Sequence, residues 1–375
     1  SLTTNTGGAL SLGANVTVAG NLDVNDPAAT LTGGLTLTTT GSGTIDFAGT
    51  VDGAQDLTVA SAGTTAFTGN VGATTPLGDA TGAAVTINST GLTTFNGTLV
   101  TASGITGSGA VRFNENVTLA AGDTATTLNG SVTLDGLTFN SAGNATLGDA
   151  AADTLTISTA AVTVKTPGAT LNIPSNVVIA DGLALTLGAG GATAITAGGT
   201  IQGAAGGAVT SDLVVNTTGT AAFNGIIGGG SQFRNLTITQ SGGTTFGAAV
   251  TSTGGTVLLT DTTGAIEFDG ALVAPTLTTA AQDYALNLDG GSTITNAVTL
   301  TNPGAVRIGD GADTNTFTGG LVGTAPTSLS LAGTIASTNT AINLGDSDTA
   351  AALTADTTLS SGSGAITLGG AVDGA

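Results

Sequence analysis

The sequence predicts an all-β protein: a parallel β-solenoid (β-helix) of about 20–25 residues per coil, right-handed, with essentially no α-helix. Three observations predict it. Apolar and polar residues alternate in short bursts, the signature of half-buried strands. A phrase returns after twenty residues: GSGTIDFAGTV at 41–51 and SAGTTAFTGNV at 61–71. Both read small or hydroxyl residue, any residue, Gly, three residues, Phe, one residue, Gly, one residue, aliphatic. Finally, 62 of 375 residues are glycine, and each would cost a helix interior about 1 kcal/mol.

Taken in order, the alternating pairs begin with Leu10 and Leu12, Val16 and Val18, Leu22 and Val24, and Leu35 and Leu37. GAN, AGN, NDPAA and TGG separate them, so each pair predicts a strand and each separator a corner. The phrase then recurs around Phe95, Phe113, Phe223, Phe246 and Phe268, with Leu368 in the Phe position near the end. Adjacent copies are 20, 28, 18, 23 and 22 residues apart, as coils with corner loops of different length require. Phe47, Phe67, Phe95, Phe113, Phe223, Phe246 and Phe268 are therefore expected to stack as a structural core ladder. Between 131 and 187 the phrase fades, but Val132 and Leu134, Leu155 and Ile157, Val162 and Val164, and Leu171 and Ile173 still alternate. Pro167 and Pro174 cannot donate to a ladder and belong at corners. Asn and Gly are expected to supply left-handed backbone at corners. Uniform composition makes 1–375 one continuous solenoid of on the order of 17 coils. VDGA at 51–54 returns at 372–375, so Ala375 is expected not to be a natural terminus, and the chain to be a segment of a longer repetitive protein.

Charge narrows the partners. Twenty-four acids face only Arg112, Lys165, Arg234 and Arg307, for a net charge of −20. Four scattered cations cannot neutralise a run of phosphates, which argues against nucleic acid and against anionic membranes. One long uncharged stretch, 182–211, is broken by glycine runs and alternates, so it is not an integral membrane segment. Without cysteine there is no disulfide framework.

One second motif recurs: an aliphatic residue, Gly, Asp and small residues, at Asp79, Asp149, Asp310 and Asp346. Carboxylates and carbonyls on a loop are hard-cation ligands, which makes these the calcium candidates. The spacing fits neither an EF-hand nor a calcium nonapeptide, and a Gly-Asp turn whose Asp accepts local N–H bonds accounts for the same residues. No other cofactor is expected. Catalysis is not expected either. With no His, no Cys, no Trp and one Tyr, a polysaccharide-cleaving β-helix lacks its acid–base inventory and its aromatic platforms. Only a cluster of carboxylates beside an arginine would revive that reading. The Thr-X-Thr bursts, such as TLTTT at 36–40, suggest an ice-binding rank, but the variable spacing is expected to scramble it. The sequons at Asn15, Asn88, Asn96, Asn116, Asn129, Asn144, Asn216 and Asn235 are what a Thr- and Asn-rich composition produces by chance.

TTFNGTLVTASGITGSGAVRFNENVTLAAGDTATTLNGSVTLDGLTF, from Thr93, and AGTTAFTGNVGATTPLGDATGAAVTIN, from Ala62, resemble the strand repeats of giant bacterial surface proteins. These are filamentous-haemagglutinin-like and autotransporter-type adhesins, and the resemblance runs along the whole chain. It implies a secreted, extracellular, cell-surface structural fibre or stalk used in adhesion, aggregation or biofilm. The partners it implies are further copies, joined end-to-end or laterally, and a host or neighbouring cell surface or glycan. The alternative from another class is a lattice- or sheath-forming, S-layer-like envelope protein, linked through calcium at the Gly-Asp loops.

Overall fold

The structure, a computed structural model, describes residues 1–230 and 233–374. Ala375, on which the expectation about the chain end falls, lies outside them. The described residues form 47 β-strands and no helix. The chain is an all-β parallel β-solenoid of about 17 turns with ~22 residues per turn. It divides into two compact units, Ser1–Val178 and Ile179–Ala375.

In the first unit one coil contributes three short strands, for example Ile45–Phe47, Thr50–Asp52 and Leu57–Ala60. Each pairs in parallel with its equivalent one coil away: Phe47 with Phe67, Val51 with Ala29, Leu57 with Val85. Period-two alternation then decides burial. Ile45 and Phe47 are buried while Asp46 between them is only half-buried. The inward positions form ladders such as Val24–Phe47–Phe67–Phe95–Phe113–Leu134–Ile157. Each fully buried aliphatic or aromatic side chain contributes about 1.5–3 kcal/mol. Variable coil length leaves this register intact, because the surplus loops out at corners. In the 28-residue interval from Phe67 to Phe95 the surplus is the loop at 72–83, and Phe67 still faces Phe95.

The second unit repeats the plan. Ala221–Phe223, Thr244–Phe246, Ala265–Phe268, Ala285–Leu288 and Val306–Ile308 stack in parallel, carrying Phe223, Phe246, Phe268, Leu288 and Ile308 in one inward column. Towards its end two corners straighten, giving the long strands Ser328–Ala336 and Ala350–Ser360, with a bulge between Leu331 and Gly333. Proline keeps to its expected places: all seven lie outside strands.

Among the described residues twenty glycines take left-handed backbone as expected, but the first glycine of the phrase and the asparagines depart from expectation in an instructive way. The phrase glycines Gly43, Gly63 and Gly91 do not have positive φ. A Cβ on Gly91 would lie 2.2 Å from the carbonyl oxygen of Gly63, and one on Gly63 would lie 2.9 Å from that of Gly43. They are glycine because stacked backbones touch there. Among the described residues Asn339 is the one asparagine in the left-handed region, with φ 56. The corner asparagines instead bridge coils. The side-chain oxygens of Asn15, Asn116 and Asn144 accept the backbone N–H of Thr36, Thr138 and Thr170 at 2.8, 2.9 and 3.0 Å. Each bond satisfies a donor at the start of a strand and fixes one coil on the next.

Candidate functional site

Seven phenylalanines fall into two stacks, one per unit. Ring centroids are 5.3, 4.8 and 5.3 Å apart from Phe47 to Phe113, and 5.2 and 4.7 Å from Phe223 to Phe268. All are at most 1% exposed, so they offer nothing to a ligand. Phe139, outside the phrase, meets Phe113 edge-on at 5.9 Å. A second buried column is built around the hydroxyl position of the phrase, held by Ser61 and Ser89, with the buried Thr39 and Thr65 beside it. Thr39 donates to Ser61 at 3.2 Å, Ser61 donates to the Gly43 carbonyl at 2.8 Å, and Ser89 donates to or accepts from Thr65 at 3.2 Å. The recurring hydroxyl two residues before Gly was the signal for it.

The four Gly-Asp loops share one geometry. The aliphatic residue before each is buried: Leu77, Leu147, Ile308 and Leu344. The glycine is left-handed in every copy, with φ 94 at Gly78, 79 at Gly148, 76 at Gly309 and 71 at Gly345. The motif is thus a strand exit that only glycine makes without strain. Asp79 Oδ1 accepts the Thr81 hydroxyl at 2.6 Å and its N–H at 2.9 Å, which together hold the carboxyl below its ordinary range. Asp346 is lowered the same way, by the N–H of Asp348 first and then Thr349. Asp149 is pushed up by its hydrogen bond with Asp153, by burial and by that neighbour's charge. Asp310 lies in the field of Arg307 and Asp269. Among the described residues no three metal-ligating side chains converge.

Carboxylates do gather around one arginine. Arg307 grips Asp289 with both Nε, at 2.7 Å from Oδ1, and Nη2. Asp289 is 4% exposed. Glu267 and Asp310 add charge nearby, and Asp269 is pushed up by burial first and by Glu267 and Asp289 next. Arg234 grips Asp212 in the same two-nitrogen way, with Nη2 at 2.6 Å, while Arg112 meets Asp135 through Nη2 alone at 2.5 Å and turns its Nε to Asn114. In each, the arginine is spent on neutralising a carboxylate of an adjacent coil.

The surface itself holds a feature that variable spacing was expected to destroy. Thr36, Thr58, Thr86, Thr106, Thr127 and Thr146 are register partners across six successive strands of the first unit. The rank survives because insertions leave through corners and strand pairing holds the register. Beside it Asn88, Ser108 and Asn129 follow the paired residues Ile87, Gly107 and Leu128, and all three are exposed. Between the two columns lies a shallow, open strip of surface lined by Asn88, Thr106, Gly107, Ser108, Thr127 and Asn129. Comparison of the chain with family models, curated proteins and solved structures returns no match.

Proposed function

We propose that this chain is a structural segment of a secreted, cell-surface fibre or stalk, of the filamentous-haemagglutinin-like and autotransporter-type adhesin kind. The observation that supports this reading most is the like-on-like register within each unit. Phe meets Phe, Thr meets Thr, and Asn side chains tie one coil's backbone to the next. Such a body adds length by repeating one local solution, at about 4.8 Å per coil. Its role is mechanical: backbone ladders and apolar columns hold a surface at a distance, and copies associate end-to-end or laterally. The ion pairs belong to this role. Arg307 and Asp289 consume each other's charge, so the reading assigns their cluster to coil-to-coil fastening and not to catalysis. On this reading the Gly-Asp loops serve as strand exits, and Asp79 and Asp346 spend their carboxylates on local donors and not on calcium.

Electron microscopy of the native surface material, with and without EDTA, tests the reading. Long isolated fibres that ignore EDTA are expected. Sheets or sheaths that fall apart in EDTA would overturn it in favour of a calcium-linked envelope lattice. Asp79, Asp149, Asp310 and Asp346 would then be the first residues to replace.

A further inference from the structure

We propose that Ser292 and Asn315 bind a water molecule inside the second unit, sealed between neighbouring coils. Both stand at inward positions of one column, Leu272–Ser292–Asn315–Ile335. Ser292 is 2% exposed and Asn315 is fully buried. Their surroundings are apolar: Leu272 and Ile335 flank them in the column, and the buried Ile294 and Phe317 are the next inward residues of the same two strands. Yet the Ser292 hydroxyl and both polar atoms of the Asn315 amide find no hydrogen-bond partner among the described residues. Elsewhere in the unit buried hydroxyls meet each other, as Ser241 and Thr262 do at 3.0 Å. Bare polar groups in an apolar interior are costly, and a buried water bonded to them removes that cost.

Donors and acceptors identify the molecule. The amide carries two donor hydrogens and an acceptor oxygen, and the hydroxyl one donor and an acceptor oxygen. A direct bond between the two side chains would satisfy one amide atom and leave the other bare. Water both donates and accepts, so one molecule serves both residues at once. The room for it lies at the corner beside Asn315. Gly309 opens the loop at 309–313 with φ 76. A Cβ on Gly309 would lie 3.5 Å from Asn315 Nδ2 and would run into the Ala332 carbonyl oxygen. Ala332 is the residue that the bulge leaves out of register: Leu331 pairs with Ile308 and Leu353, and Gly333 pairs with Thr357. Amide, turn and bulge thus border one small space, at the step where a looped coil meets a straightened one. The polar pair stands in the column at that step, so the water joins coils whose backbones part company there. The inference does not depend on the fibre reading.

A crystal structure of the intact chain, at a resolution that orders solvent, tests this directly. A water peak is expected at about 2.7–3.2 Å from both Ser292 Oγ and an Asn315 amide atom. Ordered water elsewhere with none at this place overturns the proposal, as does a direct Ser292–Asn315 bond that closes the space. Magnetic relaxation dispersion of water in solution supplies a second readout. S292A/N315L is expected to hold one long-lived water fewer than wild type and to melt no lower, because both polar groups leave together. S292A alone strips one partner from the water and should melt below the double variant; the opposite order overturns the proposal. Equal numbers of long-lived waters in wild type and folded double variant overturn it too. S292A/N315V takes the place of the double variant if leucine is too long for the column.

Discussion

Phe67 lies between two parallel rings, Phe47 at 5.3 Å and Phe95 at 4.8 Å, and is fully buried. Removing it deletes contacts on both faces and leaves a void that two flanking backbones, held by their ladders, cannot close. Phe67→Ala should therefore cost about 3–5 kcal/mol, read as a lowered denaturant midpoint; a loss under about 1 kcal/mol would show that the column is not close-packed. Tyr284 is the sole tyrosine, 2% exposed, and its hydroxyl donates to the Leu259 carbonyl at 3.2 Å. Burial pushes its pKa up to about 12. Because the folded value lies above the ordinary one, the proton's contribution is whole below about pH 10 and is lost as pH rises through about 12. Stability should fall across that window in wild type and fall less in Tyr284→Phe, which gives up about 1 kcal/mol at neutral pH for the lost hydrogen bond. An ultraviolet titration of folded protein with an ordinary tyrosine midpoint would sink this.

At the scale of the element, a corner is a contact between backbones. The second phrase glycine shows it: a Cβ on Gly69 would lie 2.5 Å from the backbone of Gly49, and neither chain has room to move. Gly69→Ala should cost about 1–3 kcal/mol through overpacking. Gly143, at another corner, has nothing within 4 Å of its would-be Cβ and does not have positive φ. Gly143→Ala should change stability by under about 1 kcal/mol. Thermal unfolding of the pair decides the matter. Equal losses would mean that glycine serves the corners through flexibility and not through close approach. The same stacking explains why the threonine rank is continuous. A strand of three residues has one outward centre, and pairing aligns those centres whatever the corners do.

On the scale of the whole molecule, repetition does the work that a single large core does in other folds. Each unit gains stability coil by coil, through neighbours only. The acid excess is tolerated because it is spread along many coils and because three carboxylates are matched by arginines from adjacent coils. A net charge of −20 keeps such a repetitive surface from indiscriminate clumping. The expected indifference of the fibres to EDTA belongs to this scale as well. The loops at Asp79 and Asp346 are closed by their own N–H and hydroxyl donors, so these two strand exits are expected to survive the withdrawal of calcium.

The all-β class, the parallel coils and the phenylalanine positions were legible in the linear sequence, because period two and period twenty are local and additive. Val16–Val18 or Val132–Leu134 could be read as strands from three residues each. The partnership of residues in different coils was not legible. Whether Thr86 faces Thr106 and Thr127 depends on how many residues each corner ejects, and spacings of 28 and 18 pointed to disorder in the rank. Asn116 reads as a turn former until the Thr138 N–H is seen within 2.9 Å of it. The reason is physical: a corner's length is written in the sequence, but its path is set by hydrogen bonds and contacts to the coils beside it, which only the folded stack provides.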